Sequence, residues 1–209
     1  MQGLFITMEG CEGAGKSLQC KMLSQYLQGL GYNTLLTREP GGTKISEQIR
    51  GILLDPVNKN MSPATEALLY SAARAQHIFE AIKPALEKGF FVISDRFTDS
   101  SIVYQGFARK LGYENIKNIN AFATNGLEPD ITFFIDISPE SSLTRKQSDA
   151  ALDRIELENI KFHMDVYEGY KKLAKQNPGR VMTINGSRSP DEIHKDILNI
   201  IKERLLINE

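Results

Sequence analysis

The clearest chemical pattern in the chain is a glycine-rich segment that follows a short apolar run near the N-terminus. It matches the spacing G-x-x-x-x-G-K-[ST], and its residues are Gly10, Cys11, Glu12, Gly13, Ala14, Gly15, Lys16 and Ser17. Glycines let backbone N–H groups turn toward phosphate oxygens, and the start of the following helix adds partial positive charge. The motif predicts a phosphate-binding loop (P-loop) for ATP, with Lys16 as a catalytic cation and Ser17 as a Mg²⁺ ligand.

Further polar clusters come after two other apolar runs and on the predicted helix between them. The first covers residues 37–42 with Arg50 beyond it, the second covers 95–101 with Tyr104 and Gln105 after it, and the helical one covers 68–74. A single arginine in such a cluster is usually solvated or paired structurally. Several arginines at strand ends instead suit a second anion facing the P-loop. The pattern therefore predicts an acceptor that carries its own phosphate.

Apolar runs alternate with amphipathic segments along the chain. The predicted strands are residues 4–8, 34–37, 90–94, 131–137 and 181–184. The predicted helices are residues 17–30, 45–54, 63–88, 113–125, 139–147, 154–176 and 190–206, and Pro84 is expected to bend or end the third. This alternation predicts an α/β fold with a five-stranded parallel sheet covered by helices on both faces. Ligands of such sheets bind beyond the carboxyl ends of the strands, where the polar clusters fall.

Length and composition narrow the class of protein. The 209 residues suit one domain spanning 1–209, and 41% hydrophobic with 24% charged residues is ordinary for a soluble protein. A net charge of -1 without a basic stripe predicts no nucleic-acid partner, and no apolar run is long enough for a membrane span. Cys11 and Cys20 form no disulfide framework, and no targeting segment is recognisable, so a cytoplasmic location is expected.

The segments EGCEGAGKS, TREPGG, LLYSAAR, DRFTDSS, YQG and ALDRIE, in this order and spacing, resemble bacterial thymidylate kinases. The likeness runs from Phe5 to the last predicted helix. Many families share the P-loop, whereas TREPGG together with DRFTDSS and YQG is specific to this one. The resemblance implies a P-loop nucleoside monophosphate kinase fold with a mobile LID segment at about residues 143–154, and a homodimer. It also implies transfer of the γ-phosphoryl group of ATP to dTMP, with Mg²⁺ as the cofactor.

The resemblance also implies roles at the base end of the substrate. Tyr70 matches the aromatic residue that stacks on thymine, and Arg74 matches the arginine that hydrogen-bonds a base carbonyl. Gln105 matches the amide that reads the base edge, with Ser101 beside it. A flat pyrimidine independently needs an aromatic face and a few directed hydrogen bonds.

At the phosphate end, the resemblance places Arg38, Arg50 and Arg96 around the dTMP phosphate. It places Glu12 near the deoxyribose 3′-hydroxyl and Asp95 at the magnesium and phosphate site. A dTMP phosphate oxygen is already anionic near neutral pH, so the transfer needs no general base. Catalysis is expected to rest on in-line positioning and charge neutralisation, with Lys16, Arg96, Arg145 and Asp95 as the catalytic residues.

The predicted LID departs from the arginine-rich form that relatives with glycine at the position of Gly13 generally carry. Gln147 and Asp149 stand where several relatives carry arginines. The cations of this segment are Arg145, Lys146 and Arg154. We predict that Arg145 is the main cation on the transferring phosphoryl group and that Arg154, which follows Asp153 as a possible pairing partner, is secondary.

Two alternatives stay open on the residues alone. One is a kinase of the same fold that acts on another nucleotide or on a deoxynucleoside. The other is a GTPase or ATPase switch, although residues 58–61 (Asn-Lys-Asn-Met) lack the aspartate of a guanine-reading element. For Cys11, extra thiolate character near Lys16 would predict rapid alkylation that ATP blocks, whereas a space-filling role would predict an inert thiol.

Overall fold

Five parallel strands form one sheet through the middle of the protein. The computed structural model describes residues 3–145 and 152–205. The strands are β1 (Leu4–Glu9), β2 (Thr34–Arg38), β3 (Phe91–Asp95), β4 (Ile131–Asp136) and β5 (Val181–Asn185). Their order across the sheet is β2-β3-β1-β4-β5, and Asp95 is in register with Met8 on one side and Arg38 on the other. The predicted parallel α/β fold is confirmed.

Helices cover both faces of this sheet. They are α1 (Lys16–Gly29), α2 (Lys44–Leu54), α3 (Pro63–His77), α4 (Lys83–Glu87), α5 (Thr98–Ser101), α6 (Tyr113–Thr124), α7 (Pro139–Arg145), α8 (Ile160–Gln176) and α9 (Pro190–Leu205). Across the described ranges, no helix combines the length and the apolar character that crossing a membrane requires.

Side chains of alternate strand residues enter two apolar layers. On one face Ile6 and Phe133 pack with Leu23 of α1 and Ile197 of α9. On the opposite face the neighbouring residue Phe5 packs with Val92, Ile82 and Phe97. Because both faces are buried, the strands are apolar at successive positions rather than alternating with polar residues. The carboxyl ends of β1, β2 and β3 are thereby held side by side.

The long helix predicted over residues 63–88 is divided. It contains α3, a wider π-helical turn at Ile78–Ile82, and α4, which has Pro84 in its first turn. Proline has no N–H and its ring clashes with the carbonyl four residues back, so regular α-helical bonding cannot run through this point. The predicted interruption near Pro84 is confirmed. A second π-helical segment at Ile102–Ala108 follows α5, and the sequence analysis did not predict it.

The helix predicted to begin at residue 154 begins at Ile160 instead. Asn159 accepts a hydrogen bond from the backbone N–H of Phe162 at 3.0 Å and so caps α8. Upstream, Asp153 Oδ1 accepts from the N–H groups of Ile155 and Glu156, both at 2.9 Å, and forms a separate turn. The predicted start at residue 154 is therefore wrong by six residues. The segment contains two successive capped elements, the turn capped by Asp153 and the helix capped by Asn159, and only the second is α8.

Candidate active site

The P-loop joins β1 to α1, as the motif predicts. Gly10 has a φ of 144°, and a Cβ there would lie 2.8 Å from the carbonyl oxygen of Ile135. Gly15 has a φ of 91° and precedes Lys16, the first residue of α1. Only glycine fits such a turn without strain, so the backbone can fold closely around a bound group. The Lys16 side chain is buried at the base of the loop, and its amine donates to the Cys11 carbonyl oxygen at 2.7 Å.

A cavity of about 400 Å³ lies beside the P-loop, beyond the carboxyl ends of β1, β2 and β3. Residues from distant parts of the chain meet in its wall. The predicted site residues that line it are Glu12, Gly13, Gly15, Lys16, Ser17, Arg38, Arg50, Tyr70, Asp95, Arg96, Ser101 and Gln105. Gly10, Cys11 and Ala14 complete the P-loop itself. The phosphate-binding loop, the arginines and the aromatic ring of Tyr70 therefore line the same cavity.

Arg96 is the most constrained of these residues. Its φ of 75° is rare for a residue with a side chain, and such an outlier is often found at a functional site. Its Nη1 donates to the Gly10 carbonyl at 3.1 Å, and its Nη2 pairs with Glu12 Oε1 at 2.5 Å. The guanidinium also lies over the Tyr104 ring, 5.1 Å from its centroid. Arg96 therefore ties the end of β3 to the P-loop.

Beneath Arg96 lies the buried carboxylate of Glu9, the last residue of β1. It accepts hydrogen bonds from the Phe97 N–H at 2.8 Å, the Ser100 hydroxyl at 2.6 Å and the Tyr170 hydroxyl at 2.8 Å. Ser100 and Tyr170 both also accept from Arg96, at 3.1 Å each. Burial and the neighbouring charge of Asp99 raise the pKa of Glu9 to about 7. No role was predicted for Glu9, although it opens the segment EGCEGAGKS, because its partners Phe97, Ser100 and Tyr170 come from distant parts of the chain.

The two predicted metal ligands are adjacent. The Ser17 hydroxyl, in the first turn of α1, donates a hydrogen bond to Asp95 Oδ2 at the end of β3. Within residues 3–145 and 152–205, no cluster of three or more histidine, cysteine or acidic side chains forms a protein-only metal site. Mg²⁺ characteristically binds through one or two protein oxygens, with substrate phosphates and water supplying the rest. The pair of Ser17 and Asp95 fits that mode of binding.

Arg74 lies behind the cavity wall instead of lining the cavity. Its guanidinium donates to Glu39 Oε2 at 2.7 Å, Asn120 Oδ1 at 2.7 Å, Ser101 Oγ at 3.0 Å and the Phe97 carbonyl at 3.0 Å. Only 1% of its surface is exposed. Glu39 and Ser101 do line the cavity, so Arg74 supports two of its walls. The predicted hydrogen bond from Arg74 to a base carbonyl stays a prediction.

Several cavity-lining residues were not predicted as site residues. They are Leu18, Pro40, Leu54, Ser100, Tyr104, Asp153, Ile155 and Glu156, whereas Glu39 had been predicted as an orienting or metal-shell residue. Burial raises the pKa of Asp153 above its usual range. The segment ALDRIE, which carries part of the family resemblance, was the available signal for Asp153 and Glu156. The segment was divided between the end of the predicted LID and the start of the helix predicted from residue 154, and neither acidic residue was assigned a role at the site.

Arg145 and Arg154 lie in different surroundings. Arg145 donates to the carbonyl oxygens of Gly186 at 2.7 Å and Ser187 at 3.0 Å. It lines a second cavity of about 540 Å³, which lies along the P-loop and also includes Gly13, Gly15 and Arg188. The predicted contact of Arg145 with the transferring phosphoryl group stays a prediction. Lys146, Gln147 and Asp149, and with them half of the predicted LID, lie outside the described residues.

Arg154 is buried and pairs with Glu66 Oε2 at 2.7 Å, so the suggested pairing with Asp153 is wrong. Its Nε also donates to the Leu53 carbonyl at 2.8 Å. Asp153 instead uses its carboxylate to cap the turn that follows. Arg154 therefore fastens the C-terminal end of the predicted LID to α2 and α3.

Cys11 is a buried thiol, with 4% of its surface exposed. Burial raises its pKa to about 11, although Lys16 and Arg96 oppose that rise. Burial therefore favours the space-filling alternative for Cys11 over extra thiolate character. Desolvation of the thiolate outweighs the attraction of nearby cations.

The parallel sheet, the P-loop between β1 and α1, and the arginine-lined cavity define a P-loop nucleotide kinase fold. The thymidylate kinase family model matches residues 8–197. A thymidylate kinase of Lactobacillus acidophilus is 50% identical over 98% of this chain and 96% of the relative. One from Thermoanaerobacter sp. (strain X514) is 50% identical over 98% of this chain and all of the relative.

The solved structures give the same result. The crystal structure of thymidylate kinase from Ehrlichia chaffeensis superposes with a TM-score of 0.80 at 31% identity. The match covers 97% of this chain and 99% of that one. This chain belongs to the thymidylate kinase family.

Proposed function

We propose that this protein transfers the γ-phosphoryl group of ATP to dTMP, giving dTDP and ADP. The observation that carries this proposal is that the P-loop and Arg38, Arg50 and Arg96 line one cavity. A P-loop alone accommodates one polyphosphate. Arginines opposite it supply a second anion site, as an acceptor with its own phosphate requires. The alternative acceptor, an uncharged deoxynucleoside, would leave these arginines without a phosphate to bind.

ATP is proposed to lie along the P-loop. The second cavity, which contains Arg145 and Arg188, meets the first at Gly13 and Gly15. A nucleotide placed in the second cavity would direct its phosphates over the loop toward Lys16. Arginine guanidinium groups bind aromatic faces as well as phosphates, so the arginines of the second cavity suit both the adenine ring and the phosphates of ATP.

The acceptor is proposed to lie in the first cavity with its phosphate toward the arginines. Arg38 belongs to β2, Arg50 belongs to α2, and Arg96 directly follows β3. Tyr70 supplies the flat face for thymine, and the amide of Gln105 supplies a hydrogen-bonding group for the base edge. Arg74 acts on the base site through Glu39 and Ser101.

No side chain is assigned as a general base. Glu39, which follows Arg38 in the chain, accepts hydrogen bonds from Arg74 and His77, which suits a structural role. Ser17 and Asp95 would hold Mg²⁺, which supplies positive charge at the phosphate oxygens. Lys16 and Arg96 neutralise negative charge that develops during transfer, while the cavity walls align donor and acceptor.

We also propose a homodimer in the cytoplasm, formed by residues 1–209 as one domain. Large apolar side chains stand out on α3, on the π-helical turn after it and on α6: Leu68, Phe79 and Phe122 are 58%, 75% and 91% exposed. Exposed apolar groups of this size favour a protein interface. Light scattering on the purified chain tests the dimer, and a monomer at micromolar concentration would refute it.

The reaction is tested by incubating the purified chain with ATP, Mg²⁺ and dTMP and separating the nucleotides. The proposal predicts dTDP and ADP in equal amounts, and no ADP without an acceptor. ADP without dTDP would indicate an ATPase and would overturn the proposal. Product from thymidine in place of dTMP would favour the deoxynucleoside alternative.

A further inference from the structure

The side-chain amide of Gln105 has one end committed to the protein. Its Nε2 donates to Glu66 Oε1 at 2.9 Å, and 2% of the residue's surface is exposed. Among the described residues, none donates a hydrogen bond to its Oε1. A carboxylate only accepts, so the nitrogen must face Glu66 and the oxygen must face away. The orientation of this cavity-lining amide therefore follows from the charge of its neighbour.

Glu66 is itself held in place. Arg109 donates to it through Nε at 3.2 Å and Nη2 at 3.1 Å, and Arg154 pairs with it at 2.7 Å. Burial favours the neutral acid, but hydrogen bonds from Arg109 and Gln105 outweigh burial and lower the pKa of Glu66. Arg109 is fixed in turn by Glu158 at 2.6 Å. The carboxylate is thus ionised and has little freedom to turn away from Gln105.

We propose that Glu66 is a specificity-determining positioning residue. By holding the nitrogen of Gln105, it leaves the amide oxygen to meet the substrate, so the site selects a pyrimidine whose ring N3 carries a hydrogen. Thymine and uracil have that hydrogen. Cytosine has a bare N3 acceptor at the same place, which would face another acceptor. This inference rests on the proposed binding of the pyrimidine beside Gln105.

Accepting cytosine would require the amide of Gln105 to turn over. Its oxygen would then lie against Glu66 Oε1, with two acceptors in contact in a buried position. A glutamine at position 66 relieves that conflict, because its own amide nitrogen can donate to the turned oxygen once Arg109 Nε, which donates to the same position at 3.2 Å, moves away. Glu66→Gln should therefore permit both orientations of Gln105, while glutamate permits one.

The test is the ratio of Kd values for dCMP and dTMP, measured by titration calorimetry. In Glu66→Gln we expect this ratio to fall about tenfold or more relative to the parent. Glu158→Gln is the matched control, because it removes a charge from the same Arg109 without touching Gln105, and its ratio should stay as in the parent. A role limited to stability would weaken both ligands in parallel.

An unchanged ratio in a Glu66→Gln protein that still binds dTMP would overturn the inference while leaving dTMP phosphorylation intact. Failure of the parent chain to bind dTMP would instead count against the proposed function. Should Glu66→Gln not fold, the double variant Glu66→Gln with Arg109→Met restores the balance of buried charge. The same fall in the ratio of Kd values for dCMP and dTMP is expected in the double variant, and an unchanged ratio would overturn the inference.

Discussion

The amine of Lys16 donates a hydrogen bond to the carbonyl oxygen of Cys11, 2.7 Å away within the same P-loop. Burial, with a smaller contribution from Arg96, lowers the pKa of Lys16. A phosphate oxygen carries charge and is a stronger acceptor than a peptide carbonyl. We therefore expect the Lys16 amine to leave the Cys11 carbonyl oxygen and bind the phosphates of ATP instead. Because the buried side chain is already held in place, this exchange costs little side-chain freedom.

Lys16→Ala should abolish most phosphoryl transfer in a protein that remains folded. Losing one preorganised cation at the transferring group costs about 3 kcal/mol or more, roughly a hundredfold in kcat. Steady-state kinetics and circular dichroism measure the two effects. Lys21→Ala, on an exposed turn of the same helix, is the control and should retain parental activity. A Lys16→Ala enzyme with over half the parental turnover would refute the assignment.

Cys11 should react slowly with iodoacetamide whether or not ATP is present. Its thiol is buried, and a pKa of about 11 leaves little thiolate at neutral pH. Mass spectrometry of the labelled peptide gives the rate, and Cys20, also buried, should behave alike. Unfolding in urea is the positive control and should expose both thiols. Rapid labelling of Cys11 in the native chain, suppressed by ATP, would contradict this expectation.

Arg145→Lys should raise the KM for ATP by about threefold or more and change kcat less. The guanidinium contacts two carbonyl oxygens and lines the cavity proposed for ATP, and lysine cannot reproduce the forked geometry. Kinetics at varied ATP and saturating dTMP separate the two constants. A fall in kcat with an unchanged KM would restore the role at the transferring phosphoryl group that the sequence predicts.

Stability should fall with rising pH because of Glu9. Its pKa is about 7 in the folded protein, above the ordinary 4.5, so the folded state binds more protons between these values. The stabilisation is fully present below the ordinary value and is lost as pH rises through about 7, with a limiting slope of about 1.4 kcal/mol per pH unit. Urea unfolding across this range should show the decline in the parent.

In Glu9→Gln this contribution to the slope should be absent, because glutamine does not titrate. Glu114→Gln changes an exposed carboxylate on α6 and should leave the parental slope unaltered. Equal slopes in the parent and Glu9→Gln would show that Glu9 titrates near its ordinary value when folded.

Much of the sheet and the P-loop could be predicted because their signals are local. Apolar runs marked all five strands, and the spacing of Gly10, Gly15 and Lys16 marked the phosphate site. The partners of Arg74 could not be predicted, since Glu39, Ser101 and Asn120 come from separate parts of the chain and meet only after folding. The charge of a buried residue predicts that it will form an ion pair or hydrogen bonds, but tertiary packing decides with which residues.

The start of α8 was mispredicted for a different reason. The turn capped by Asp153 has helix-like composition, and the true cap at Asn159 lies inside a segment that already appears helical. Local propensity does not distinguish two short capped elements from one long helix. Of the two π-helical segments, the one at Ile78–Ile82 lies where Pro84 signals an interruption, whereas the one at Ile102–Ala108 has no such signal in the sequence.

Binding of dTMP in the first cavity is tested by kcat/KM for a panel of monophosphates with saturating ATP and Mg²⁺. We expect the highest kcat/KM for dTMP and the next highest for dUMP, because a missing methyl group costs only about 1–3 kcal/mol. Both values should far exceed those for dCMP, dAMP and dGMP, which cannot satisfy the buried polar groups around Gln105. A kcat/KM for dCMP or dGMP equal to that for dTMP would show that this cavity does not select dTMP.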